Sequence, residues 1–400
     1  MPTAANAGLI VAMVGLGVAV AGCETPPGGS AQSGPAAASA SPEQSALPIP
    51  VVRARRFVAA ILPLGTVPYD GFTLPIIRPD GRAVATQTGY GPSWPTVLAE
   101  PDAVAPRGSA ISIYDLNWAN GEASHRFTIN EPAILGRSCD QRGFLIESPR
   151  SDGSRWIGHV AWETGAIQWL VADDHVNAFA ALGPEGQLAW SRRAQDAEHF
   201  DLVIRTAENE WTIAAEGNDW LMPTFSGVGH GLFIMRLNRG ELAATFMRAA
   251  DPESSRRSLG HLTLMTSATR RDAYQSLASR AGGSGLPSRL ADHLVFFHPA
   301  SLRMAIWQPT TTRAGASILL AEHSTAGTVT SDGLALITDA HSLIVQSVVN
   351  PSDRRRIVPG IQIPHLIASK RWPIVLAGPT GGVIDLTALR LLSSDELDDR

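Results

Sequence analysis

Short apolar runs, broken by turns that end in or near glycine, recur along this chain and predict β-hairpins rather than helices. The first is FTLPII, the turn RPDG and RAVATQ, closing at Gly81. Similar units close at Gly143 (AILGRS, then FLIES), Gly186 (AFAAL, then QLAWS), Gly231 (MPTFS, then LFIMR), Ser301 (LVFF, then LRMAIW), Gly333 (TVT, then LALIT) and Gly381 (WPIVLA, then VIDLT). Glycine suits these turns because it takes positive φ without a Cβ clash. Third strands are expected at ISIYDL from Ile111, IGHVAWE from Ile157, DLVIRT from Asp201, LAATFM from Leu242, SILLAEH from Ser317 and SLIVQSVV from Ser342. Fourth strands are clearest at AIQWLVA from Ala166 and EWTIAA from Glu210.

The turns at 143, 186 and 231 are 43 and 45 residues apart. A period in the forties with several strands per unit is the signature of β-propeller blades, each of which buries its faces only against its neighbours. The strand, Pro79-Asp80-Gly81, strand pattern resembles the propellers of the TolB and WD-repeat type, and Ser331-Asp332-Gly333 matches that turn in part. The resemblance covers most of residues 55–392, is architectural, and carries no functional residues across. It implies an all-β propeller over 51–392, with seven blades expected within a range of six to eight; a two-sheet sandwich or two separate β-domains is the alternative. RARRFVAAIL, Arg53–Leu62, reads as a strand outside any hairpin. It is expected to complete the last blade by pairing with the segment Trp372–Leu386, leaving no open sheet edge.

One helix is expected to interrupt the pattern. Thr269 and Asp272 have capping-box spacing, Ala273, Leu277 and Ala281 share a helical face, and Gly282-Gly283 supply the stop, so a surface helix is predicted near 269–281.

The N-terminal residues carry a different pattern. An uncharged apolar run from Gly8 to Gly22 is shorter than the roughly 20 residues that span a bilayer, and has signal-peptide length. It ends in Val20-Ala21-Gly22-Cys23, which resembles the lipobox of bacterial lipoproteins, although Met1–Ala7 lacks the usual basic side chains. The resemblance implies cleavage after residue 22, a lipid on Cys23, and attachment to a membrane of the cell envelope, facing periplasm or exterior. Residues 23–50, rich in Pro, Ala, Ser and Gly, cannot bury enough apolar surface to offset chain entropy and read as a disordered tether. Residues 393–400 form an acidic C-terminal tail.

Composition narrows the function classes. Hydrophobic residues make up 44% and charged residues 17% of 400, which fits a globular β-rich domain. The net charge is −5 and the basic residues are scattered arginines, with Lys370 the sole lysine, so nothing points to nucleic acid. Arg354-Arg355-Arg356, in NPSDRRR, is read as a solvated loop. With Cys23 acylated, Cys139 has no disulfide partner and reads as a small, buried or half-buried hydrophobe.

Catalytic and metal motifs are not recognised, and no cofactor is expected. Gly283-Ser284-Gly285 is followed by Leu286 where a nucleophile elbow needs glycine. Ser148–Trp156 resembles the aspartate box of sialidase propellers but sets Asp152 directly beside Gly153. Asp173-Asp174-His175 is the best polar constellation, able in principle to bind a cation or share a proton, and is read as a turn. His159, His230, His261, His293, His298 and His365 are dispersed. Ten tryptophans read mainly as core between blades, the remainder as rim or channel surface suited to carbohydrate or protein. The function expected is that of a lipid-anchored, non-catalytic scaffold binding an envelope protein or glycan. A propeller-class enzyme acting on carbohydrate is the alternative.

Overall fold

A computed structural model describes residues 57–69, 75–89, 109–183, 185–225, 231–238 and 241–263, and from there 294–298, 303–307, 317–319, 324–329, 334–339, 342–347, 352–359, 365–367, 374–380 and 382–393. All belong to one compact unit, Leu47–Arg400. Cys23, the signal peptide, the tether, the helix expected at 269–281 and residues 394–400 lie outside the described residues.

Every regular element in the described residues is a strand, and the strands pair as successive antiparallel meanders. After β1 (Phe57–Pro68) come β2 (Ile76–Ile77), β3 (Ala83–Thr88), β4 (Ala110–Asn117) and β5 (Glu122–Ile129), which make the first meander. The second is β6 (Ile134–Cys139), β7 (Gly143–Pro149), β8 (Arg155–Ala161) and β9 (Ile167–Val171), and the third β10 (Val176–Leu182), β11 (Leu188–Arg193), β12 (Asp201–Arg205) and β13 (Glu210–Ile213). These two are joined by a single parallel pairing, Val176 with Arg155. The fourth is β14 (Asp219–Phe225), β15 (Gly231–Asn238), β16 (Glu241–Arg248) and β17 (Arg257–Thr263). Then follow β18 (Leu294–His298), β19 (Arg303–Trp307) and β20 (Ser317–Leu319), and a further four strands, β21 (Ser324–Val329), β22 (Leu334–Asp339), β23 (Ser342–Ser347) and β24 (Arg354–Pro359). The last sheet has the order β1, β27 (Val383–Ser393), β26 (Ile374–Thr380), β25 (His365–Ile367).

This is a β-propeller, and its closure follows from the last sheet. The N-terminal strand β1 lies antiparallel on β27 from Phe57↔Ser393 to Pro68↔Val383, so the two ends of the chain share one blade. Leu64, Val67 and Tyr69, with Ile384, Leu386 and Ala388, form a core that also takes in Ile77, Val84 and Leu116 of the first blade. A second core joins the first and second blades through Ile113, Leu135, Phe144 and Trp162. A third joins the third and fourth through Ile204, Trp220, Leu232 and Met247. Hydrophobic burial thus lies between successive sheets, which is what makes a blade depend on its neighbours.

Two sequence expectations need correction. Arg354-Arg355-Arg356 is not a loop: the three open β24 and pair with Gln346, Val345 and Ile344. Arg354, which opens the strand, is exposed, as a long charged side chain on an outer strand can be. The hairpin at Gly381 is also out of phase with the others, since β26 and β27 are the second and third strands of their blade and the short β25 precedes them.

Candidate functional site

In a four-stranded meander, the turns between strands one and two and between three and four share one end of the blade. The loop between two and three, and the connection to the next blade, share the other. Contacts between blades respect this division. Arg150, after β7, is 2.7 Å from Glu131, in the connection before β6. Gln195, after β11, donates to the carbonyl of Asp174, in the connection before β10 (3.0 Å). At the opposite, hairpin end, Glu163 of the β8–β9 turn pairs with Arg78 of the β2–β3 turn (2.5 Å) and with Arg126 of β5 (2.7 Å).

The crossover end of the second and third blades holds a contiguous aromatic and polar constellation. Arg150 lies with its guanidinium carbon 4.2 Å from the ring centre of Trp156 and 4.5 Å from that of Trp169. The two indoles meet edge to face at 5.6 Å. Trp169 can lie this way because its strand partner is Gly158, where a Cβ would come within 3.0 Å of the indole. Glu131 closes the cluster: it pairs with Arg150 and accepts a bond from Ser148 Oγ (2.8 Å). A guanidinium held between indoles and a carboxylate is a rigid arrangement, because stacking and charge fix its plane together.

Trp156 leads directly to the predicted polar constellation. Its Nε1 donates to the carbonyl of Asp173 (3.1 Å). Asp173 Oδ1 accepts from the N–H of His175 (3.1 Å) and from Asn177 Nδ2 (2.7 Å), and the buried Asn177 accepts in turn from Trp190 Nε1 (2.9 Å). His175 Nδ1 is 2.8 Å from Asp174 Oδ1. One ligand atom from each of Asp173, Asp174 and His175 lies within 4.8 Å of the others, so the structure brings the three together. The bonds of Asp173 are those of an Asx turn that starts β10, as expected of the turn reading.

The neighbouring loops behave alike. Asp152 Oδ1 accepts from the N–H and the hydroxyl of Ser154 (2.9 and 2.7 Å), and these bonds hold its pKa below the ordinary value. The segment that resembles an aspartate box is therefore a β7–β8 turn capped by its own aspartate. At the start of the fourth blade the buried Asp219 accepts from the N–H of Phe200 in the β11–β12 loop (2.9 Å), with His199 Nδ1 3.5 Å away. Between these capping groups lie the exposed ones. Asp152, Asp174, Asp196, Glu198 and Glu216 are exposed, whereas Arg150 and His175 are half-buried. Every exposed charged side chain described in these loops is acidic. At the hairpin end the exposed charges are mixed, though acids outnumber bases: Arg82, Arg142 and Arg256 stand beside Glu122, Glu163, Glu185, Glu208, Asp251 and Glu253.

Other predicted candidates are placed singly. Cys139 is half-buried, donates weakly to the carbonyl of Ile77 (3.4 Å) and packs on the core between the first two blades. His159 meets Asp140 (3.3 Å), whose carboxylate also accepts from the N–H groups of Arg142 and Gly143 (both 2.8 Å). Burial works to raise the pKa of Asp140, but His159 and the two N–H groups outweigh it and hold the carboxyl well below the usual range. Of the tryptophans, Trp162, Trp190 and Trp220 are buried, while Trp118, Trp156, Trp169 and Trp211 are half-buried. On the rim, the outer strands β5 and β9 flank an open cavity of ≈ 440 Å³ lined by Phe127, Ile129, Ile167, Glu131, Thr128 and Thr164 among others. Sequence reading missed the Arg150–Trp156–Trp169 stack; its signal was tryptophan on two successive strands, one of them facing a glycine.

No protein-family model and no curated protein matches the chain. Among solved structures it is similar to the β-propeller domain of Cps50 (Swd1) from Myceliophteria thermophila, at 11% identity, covering 83% of this chain and 100% of that one with a TM-score of 0.47. It is similar to the Dos1 propeller at 9% identity, over 82% and 95% of the two chains, TM-score 0.45. TolB from Acinetobacter baumannii is similar at 7% identity, over 72% and 78%, TM-score 0.36.

Proposed function

We propose that this is a lipid-anchored protein of the bacterial cell envelope, held through Cys23. In this reading its seven-bladed propeller is a non-catalytic scaffold that presents the crossover end of the second and third blades to a protein partner. The observation that supports this face is its charge. Five exposed carboxylates come from four separate loops, and the loops are pinned by the Asx turns of Asp152 and Asp173, by the bonds that Asp219 and Asp201 accept from Phe200 and Ala215, and by the Arg150 stack rather than left free to collapse. A rigid surface of one sign raises the encounter rate of a partner of the other sign and rejects like charge, so the partner expected is a protein with a basic patch. Its attraction should weaken as salt shortens the screening length.

Two experiments test the two halves of the reading separately. Cys23→Ser is expected to leave an unlipidated protein that no longer sediments with membranes; a variant that stays membrane-bound at the same processed size overturns the anchor. For the face, affinity capture from the native envelope compares wild type with a fivefold variant, Asp152→Asn, Asp174→Asn, Asp196→Asn, Glu198→Gln and Glu216→Gln. The control carries Glu185→Gln, Glu208→Gln and Glu253→Gln at the hairpin end. Partner yield is expected to fall about tenfold or more in the first and to stay within about twofold in the control. Equal recovery with all three proteins, or capture of a neutral glycan insensitive to salt, overturns the assignment.

A further inference from the structure

We draw no further inference here: the strongest candidate, the open cavity on the rim between the outer strands β5 and β9, is an unpartnered surface, and nothing in the structure shows what covers it.

Discussion

Replacing Gly65 by alanine tests the joint that closes the ring. β1 slips register between Pro63 and Gly65, which turns Leu64 into the core, fully buried, and leaves Gly65 at φ +101°. An added Cβ would meet the backbone nitrogen of Ala123 at 2.4 Å and the backbone carbon of Glu122 at 3.0 Å. From the other side of the contact, a Cβ on Gly121 would lie 2.8 Å from the carbonyl oxygen of Pro63. The last blade and the β4–β5 turn of the first therefore touch backbone to backbone, with no flexible side chain to yield. A left-handed conformation costs a non-glycine residue roughly 1–2 kcal/mol. Forcing extra volume into a packed contact adds about 1–3 kcal/mol, so Gly65→Ala should cost about 2–5 kcal/mol of the 5–15 kcal/mol typical of a folded domain.

Gly186→Ala is the matched control. Gly186 has φ +77° but no atom within 4 Å of its would-be Cβ, so it should lose only the conformational part, about 1–2 kcal/mol. Urea unfolding followed by tryptophan fluorescence gives both values, with the denaturant slope checking that the unfolded states are comparable. The expected result is a Gly65→Ala loss exceeding that of Gly186→Ala by about 1–3 kcal/mol. Equal losses, within about 0.5 kcal/mol, would refute the close approach between first and last blades.

Two further outcomes follow from buried and capping polar groups. Trp190→Phe removes the donor to the buried Asn177 Oδ1, and an acceptor left without that bond should cost about 1–3 kcal/mol in the same unfolding assay; a loss below about 0.5 kcal/mol would mean that the Asn177 bridge between β11 and the Asp173 turn adds nothing net. For Asp140, the folded carboxyl titrates below its unfolded counterpart, so its contribution is present above the unfolded value near pH 4 and fades as pH falls further. The stability difference between wild type and Asp140→Asn, about 1 kcal/mol after allowance for partial exposure, should be level from about pH 8 to 5 and shrink toward pH 2; a difference that grows on acidification would contradict the sign.

Much of the architecture is legible from the chain because propeller strands are local. In the first six meanders the hairpin strands read from apolar runs coincide with paired strands, from β2 and β3 to β21 and β22, and the lone N-terminal strand pairs where ring closure required. The unread outer strands fail for one physical reason. β5 (EASHRFTI) and β24 (RRRIVP) sit at the outer edge of their blades, where one side faces water and the binary pattern dissolves into charged residues. The phase error at Gly381 has a different origin: β25 spans only three residues, too short to leave a pattern, so the next hairpin is taken for the start of a blade.

The polar surface is legible only in pieces, because its logic lies between blades. Asp173-Asp174-His175 is contiguous in sequence and can be read as a turn, but that Trp156 donates to its carbonyl, and that Asn177 donates to the carbonyl of Arg155, depends on how β8 and β10 lie side by side. Glu131 and Arg150 are 19 positions apart and belong to different loops; they meet because the connection out of one blade and the two–three loop of the next emerge at the same end. The same rule gathers Asp152, Asp174, Asp196, Glu198 and Glu216. None of these acids stands out in a chain whose net charge is only −5, since the arginines that offset them lie elsewhere. Periodicity therefore predicts blades, whereas a one-signed face arises when a repeat sends alternate loops to opposite ends and their charges differ.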